Sequence, residues 1–137
     1  MEIRYINDNE EKLRRWIEEL TSKPTDLLAH TAEFQHAYFG AFHDEKIIGF
    51  SVVLKTDKWI LDALFVHPDH RGRGIAGELT KARLAFARQN GAKEIWYCCG
   101  DQNTTSLSSH KGYKFVKVRK ATPEEAPAPS HWYKMNI

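Results

Sequence analysis

The spacing of apolar and polar positions switches repeatedly between period two and period 3.6, and each switch marks an element. Glu2 to Ile6 alternates loosely, Ile3 and Tyr5 against Arg4 and Ile6, and reads as a first strand. Leu13, Trp16, Ile17 and Leu20 then fall at i, i+3, i+4 and i+7, the apolar stripe of a helix. Asp8 or Asn9 would cap it, with Glu11 three after Asp8 as a capping box requires, and Lys23-Pro24 would stop it. A shorter helix capped by Thr25 carries Leu27 and Leu28 and reaches toward Phe34. His36 to His43 and Lys46 to Lys55 form a hairpin about Asp44-Glu45. In its second strand Ile48, Phe50, Val52 and Leu54 take one face, Ile47 and Val53 the other, so that strand should be central. Trp59 to Val66 follows after a turn at Thr56-Asp57-Lys58 and is apolar on both faces except at Asp62.

The long helix from Gly74 or Ile75 to Gln89 places Ile75, Leu79, Ala82 and Phe86 on one stripe, with Glu78, Lys81 and Arg88 opposite. Asn90-Gly91 ends it. Glu94 to Cys99 is the next strand, and Asp101 or Asn103 caps a short helix over Thr104 to His110. Tyr113 to Arg119 and His131 to Ile137 are the last strands, joined by the Pro/Ala/Glu-rich connector Thr122–Ser130. The order is β-α-α-β-β-β-α-β-α-β-β. Hairpins come first and a parallel crossover in the middle, so the fold class is α/β in the broad sense (α+β). It should hold a mixed, mostly antiparallel central sheet of six to seven strands with helices on both faces.

Composition changes this picture little. The 137 residues suit one domain, 1–137, with a core that needs neither disulfides nor metal. A net charge of +2 gives no basic field for nucleic acid, and no apolar run is long enough to span a membrane. The two cysteines, Cys98 and Cys99, are neighbours that point to opposite faces of a strand and read as small apolar residues. With no disulfide framework and no leader, a cytoplasmic location is expected. The seven histidines lack a metal-ligand spacing, so no metal is expected.

The candidate chemistry lies at Leu61 to Leu79, LDALFVHPDHRGRGIAGEL, where a strand passes through a Gly/Arg turn into a helix. Gly72, Gly74 and Gly77 let backbone approach a ligand, and the first helical amides lack intrahelical partners. Those donors, the helix dipole, Arg71 and Arg73 together favour a phosphate or diphosphate. Gly72, Gly74 and Gly77 also fit Gly-x-Gly-x-x-Gly, but the elements before them are hairpins and not a βαβ unit. No Gly-Lys-Ser/Thr of a P-loop is present.

The run Arg71 to Ala76, after Val66-His67-Pro68, resembles the acetyl-CoA diphosphate loop of the GNAT-type N-acetyltransferase superfamily, Gln/Arg-x-x-Gly-x-Gly/Ala. The element order is similar to that family's as well. The resemblance implies a GNAT-like fold in which the strands Trp59–Val66 and Glu94–Cys99 splay apart. It implies an acetyl-CoA cosubstrate with its diphosphate on Arg71, Gly72, Arg73, Gly74, Ile75, Ala76 and Gly77. The pantetheine arm would lie along Leu64, Phe65 and Val66, near Asn103 and Ser106. The partner would be a small-molecule or peptide amine, attacking directly in a ternary complex. Many such proteins are homodimers, though no segment here displays an interface. A non-catalytic acyl-CoA-binding regulatory module is the alternative.

Asp62, a carboxylate among apolar residues, is the candidate base; a structural carboxylate is the other reading, and a bulge would change its face. Asn103 is equally a helix cap. The family's tyrosine acid has no counterpart. Aligned from Gly112 its place falls on Ser108, and aligned from Asn103 the helical turn that bears it is deleted. Tyr113 reads as a packed aromatic.

Overall fold

The computed structural model describes residues 1–7 and 9–137, so the proposed Asp8 cap and its capping box lie outside the described residues. The strands are β1 (Glu2–Ile6), β2 (Gln35–His43), β3 (Lys46–Lys55), β4 (Trp59–Val66), β5 (Glu94–Gly100), β6 (Val116–Lys120) and β7 (Ser130–Asn136). The helices are α1 (Glu10–Thr21), α2 (Leu27–Thr31), α3 (Ile75–Gln89) and α4 (Thr104–Ser109), with a 3₁₀ turn at Pro68–His70. The strands form one seven-stranded sheet in the order β1-β2-β3-β4-β5-β7-β6. Every neighbouring pair is antiparallel except β4 and β5.

Helix α1 starts at Asn9, whose side chain accepts from the Lys12 N–H at 2.8 Å. It buries Leu13, Ile17 and Leu20 against Tyr38, Phe42, Phe50 and Val52 on one face of the sheet. Its end is a left-handed Ser22 whose N–H reaches the Glu18 carbonyl. Helix α2 adds Leu28 to the same face and bonds Thr31 Oγ1 to the Tyr38 hydroxyl at 2.8 Å. It stops at Thr31, before Phe34. On the opposite face α3 packs Leu79, Leu84 and Ala87 against β-strand residues that include Ile48, Val53, Leu61 and Ile95.

Four details differ from the periodic reading, each for a local reason. In β3, Ala41 pairs with Gly49 but Phe42 pairs with Ile47, leaving Ile48 as the extra residue of a bulge. Ile48 therefore packs against Ile75 and Leu79, while Ile47 joins Phe50 and Val52 beneath α1. The buried side of α3 is Ile75, Leu79, Thr80, Arg83, Leu84 and Ala87, and Ala82 and Phe86 are only half-buried. Strand β6 begins at Val116, because Tyr113 and Phe115 turn inward and Phe115 packs edge-on to Tyr97 at 4.7 Å. Strand β4 is buried at Trp59, Leu61 and Val66, but Asp62 to Phe65 are half-buried because they border a cleft.

That cleft follows from how β4 meets β5. The two strands pair in register only at Ile60 and Trp96, whereas β4 stays on β3 as far as Val66. Beyond Ile60, no strand among the described residues pairs with the edge of β4 that faces β5.

Candidate active site

The cleft has a volume of about 1330 Å³ and runs from the turn before α3, along the free edge of β4, to α2 and the connector before β7. At its mouth, Gly72 and Gly74 have φ of 79° and 80°, a left-handed conformation that L side chains rarely adopt. A Cβ at either would meet nothing within 4 Å, so what requires glycine there is conformation and not space. The first bond of α3 is from the Glu78 N–H to the Gly74 carbonyl, so the amides of residues 75–77 have no partner inside the helix. Arg71 is held in place: its Nε donates to the Val66 carbonyl at 2.9 Å, and its guanidinium lies 5.4 Å over the Phe65 ring. Arg73 is exposed, near His70. The turn thus presents backbone donors, a helix N-terminus and two arginines, a donor set that fits a diphosphate.

Further in, Leu64, Phe65 and Val66 line the cleft while keeping their pairs with Ser51, Phe50 and Gly49 of β3. Their outer edge can pair with an extended ligand much as a strand would. Across from them, Asn103 and Ser106 of the α4 segment also line the cleft. Asn103 Oδ1 accepts from the Ser106 N–H at 3.1 Å, so this side chain is a helix cap as well as a wall residue. Of the residues singled out in the sequence, Arg73 and Gly77 do not line the cleft. Arg73 stands on the rim and Gly77 lies within the first turn of α3.

Asp62 lies deeper, at a bulge in β4. Ser51 pairs with Leu64 and Val53 with Leu61, so Asp62 and Ala63 together oppose Val52. Leu61 and Leu64 pack on the α3 face, Ala63 on the opposite one, and Asp62 Oδ2 lies 3.7 Å from His30 Nε2 of α2. Burial raises the pKa of the Asp62 carboxyl, and the nearby charges of His30 and Arg83 oppose that rise.

Two cleft residues escaped the periodic reading. Arg83 of α3, only 1% exposed, donates through Nη1 to the carbonyls of Val52 (3.3 Å) and Asp62 (3.4 Å), and through Nη2 to Thr80 Oγ1 (2.9 Å). Burial lowers its pKa to about 9. The available signal was a charge eight residues after Ile75 and four after Leu79, in the middle of an apolar stripe. His110, at the end of α4, is stacked on Tyr97 with centroids 3.8 Å apart, and burial lowers its pKa to about 4. Its Nδ1 lies 2.8 Å from the Ser106 carbonyl, which fixes the proton on Nδ1 in the neutral ring.

Other expectations resolve simply. Tyr113 does not line the cleft, whereas Ser108 does. Cys99 is buried, but Cys98 is half-buried on the cleft wall, and burial raises its pKa so that it stays a thiol. Of the histidines, His30, His70 and His110 line the cleft. Among the described residues no cluster of His, Cys, Asp or Glu is arranged to hold a metal, and no helix is long and apolar enough to cross a membrane. The connector is strapped down by Glu125, which takes both Arg119 Nη atoms (2.8 and 2.9 Å) and the Thr122 N–H (2.8 Å). Glu125 and Trp132 both line the cleft.

A mixed sheet that opens between its two parallel strands, with a glycine turn and a helix N-terminus at the mouth of the opening, has a shape and donor set that fit a long ligand carrying a diphosphate. The sequence model of the acetyltransferase (GNAT) family matches residues 5–115, and the chain belongs to that family. Solved structures share the fold. The aminoglycoside 6'-N-acetyltransferase complexed with coenzyme A superposes with a TM-score of 0.78 at 14% identity, covering 99% of this chain and 97% of that one. An acetyltransferase of the GNAT family from Staphylococcus aureus Mu50 gives 0.76 at 14% identity, covering 98% and 99%. Nourseothricin acetyltransferase gives 0.65 at 22% identity; the match covers 74% of this chain and 65% of that protein's length. No curated protein matches the sequence significantly.

Proposed function

We propose that this chain, acting as one domain over residues 1–137, transfers an acetyl group from acetyl-CoA to an amine by direct attack in a ternary complex. The observation that carries the reading is the parting of β4 from β5 beyond Ile60, with the Gly72–Gly74 turn at one end and Asp62 at the other. The diphosphate sits on the amides of residues 72–77, helped by Arg71 and Arg73. The pantetheine arm pairs with the edge of Leu64, Phe65 and Val66, beside Asn103 and Ser106, and an N–H of that edge takes the developing oxyanion. The acceptor, a small-molecule or peptide amine, enters between His30 and Glu125. Asp62, its pKa raised by burial, takes the amine proton directly or through water. The thiol leaves as its anion; with a pKa of about 8.5 it needs no strong acid, which is consistent with Tyr113 not lining the cleft. A cytoplasmic location belongs to this reading, and a homodimer is compatible with it.

That Tyr113 is not among the residues lining the cleft also favours a second reading, an acyl-CoA-binding module without turnover. Two measurements decide. A thermal-shift panel of acetyl-CoA, CoA, NAD, ATP and an RNA oligomer should single out the CoA ligands. At an excess of about 100 times Kd they stabilise by about 2.7 kcal/mol. No shift with either sinks both readings. Free-thiol release on a panel of amines then supports the enzyme, and its absence supports the binding module.

A further inference from the structure

Arg83 is expensive where it stands. It occupies the apolar side of α3 between Leu79 and Ala87, is 1% exposed, and pairs with no carboxylate within 4.0 Å among the described residues. Its Nε has no hydrogen-bond partner among the described residues. With no carboxylate in contact and mainly the more distant charge of Asp62 to oppose its burial, a guanidinium is costlier here than a leucine would be. What a leucine could not do is donate hydrogen bonds, and both backbone acceptors of Arg83 lie at the β4 bulge. The bulge leaves Val52 opposite two residues and interrupts the β3–β4 ladder there, so the Val52 and Asp62 carbonyls need donors from outside it. Nη1 of Arg83 supplies them from the α3 face, while Thr80 Oγ1 holds Nη2.

We propose that Arg83 is a positioning residue for the transfer step: it pins the Asp62–Ala63 bulge from beneath the sheet, so that the Asp62 carboxylate is held on the His30 face while Leu64–Val66 stay along the cleft. Without the bulge, strict alternation would send Leu61 and Leu64, three residues apart, to opposite faces, so that Asp62 or Leu64 would change sides. The inference rests on the reading of Asp62 as the base. It carries an electrostatic consequence, because Asp62 is faced by His30 from α2, by the Tyr38 hydroxyl from β2 and by Arg83 from α3. Arg83 in turn faces Tyr113 and His110. Removing the arginine's charge leaves burial less opposed, so the carboxyl pKa rises further.

The test uses Arg83→Met, Arg83→Lys, Thr80→Val and Asp62→Asn in the full chain, with thermal melts and CoA binding measured beside pH–rate profiles. In Arg83→Met, kcat should fall roughly 10- to 100-fold, as for a small misplacement of reacting groups, with KM for acetyl-CoA within about threefold. The acid limb of its kcat profile should move to higher pH. Arg83→Lys keeps the charge but not the fork, so its limb should stay in place while kcat still falls. Thr80→Val, a mild change that preserves folding if Arg83→Met does not, should lower kcat by a smaller factor. A limb that disappears in Asp62→Asn but does not move in Arg83→Met overturns the role of Arg83 alone. A limb that persists in Asp62→Asn removes Asp62 as the base, and this inference with it. Loss of CoA binding in step with kcat across the Arg83 variants overturns it too, since the arginine would then only support the fold.

Discussion

Replacing Gly74 by alanine separates the conformational demand of the diphosphate turn from its chemistry. Gly74 has φ 80° and ψ 9°, and a Cβ there would touch nothing within 4 Å. The cost is therefore the left-handed backbone alone, about 1–2 kcal/mol for an L side chain. The reduced freedom of the unfolded chain returns about 0.4–1 kcal/mol of this. The net loss is about 1 kcal/mol, a fall in Tm of roughly 3–5 °C at this size. The effect on ligand should be larger. If the turn relaxes to a negative φ, at least one amide swings off the diphosphate, and a hydrogen bond to a charged group contributes about 1.5–3 kcal/mol. CoA should then bind roughly 10- to 100-fold more weakly by titration calorimetry. Gly77→Ala is the control. Gly77 has no positive φ, lies inside the first turn of α3 with open space around it, and keeps its N–H on substitution. That variant should be about 0.5–1 kcal/mol more stable and, with its N–H kept, should lose much less CoA affinity than Gly74→Ala. Equal melting and equal CoA affinity for Gly74→Ala and the parent would refute the argument. So would a Gly77→Ala variant that lost as much affinity.

Three further predictions follow from the cleft wall. Asp62→Asn should lower kcat about 10²- to 10⁴-fold and abolish an acid limb that lies above the ordinary carboxylate range near 4, and an unchanged profile would remove Asp62 from the chemistry. His110, at about 4 in the folded chain against 6.5 when free, stays neutral in the fold while the unfolded chain takes up a proton. Stability should therefore be whole above pH 6.5 and decline as pH falls toward 4, by about 3 kcal/mol in all, and His110→Phe should flatten that decline in denaturant titrations. Glu125→Gln should loosen the connector held by Arg119 and Thr122, raising KM for the amine with KM for acetyl-CoA unchanged; a rise in the latter instead would place Glu125 on the donor side.

The parts of this fold that were legible in the sequence are those fixed by neighbours along the chain. The stripe of α1 at Leu13, Ile17 and Leu20, the β2–β3 hairpin, and the Arg71–Ala76 turn between strand and helix all depend on residues a few positions apart. A positive φ at Gly72 and Gly74 is likewise local, and glycine states it directly. The short α4 was readable for the same reason, since Asn103 caps it by bonding an amide three residues on.

What could not be read depends on partners distant in sequence. A bulge is a relation between two strands, so neither the shift of Ile48 to the α3 face nor the opposition of Asp62 and Ala63 to Val52 leaves a trace in period-two alternation. Arg83 was hidden by the converse error. A helix reading assigns arginine to the solvent side, and only the register of β3 on β4 reveals that two carbonyls wait beneath it. His110 follows the same logic, since its place is set by the Tyr97 ring on β5. In each case the residue that departs from its expected place stands where β4 and β5 part, or beside it. Near the opening Arg83 of α3 bonds the Val52 and Asp62 carbonyls, His30 of α2 lies 3.7 Å from the Asp62 carboxyl, and His110 at the end of α4 stacks on Tyr97. The polar residues that fit the periodic pattern least, Asp62, Arg83 and His110, all line the cleft, which is why they, and not the glycine turn, are the place to seek what distinguishes this chain's chemistry.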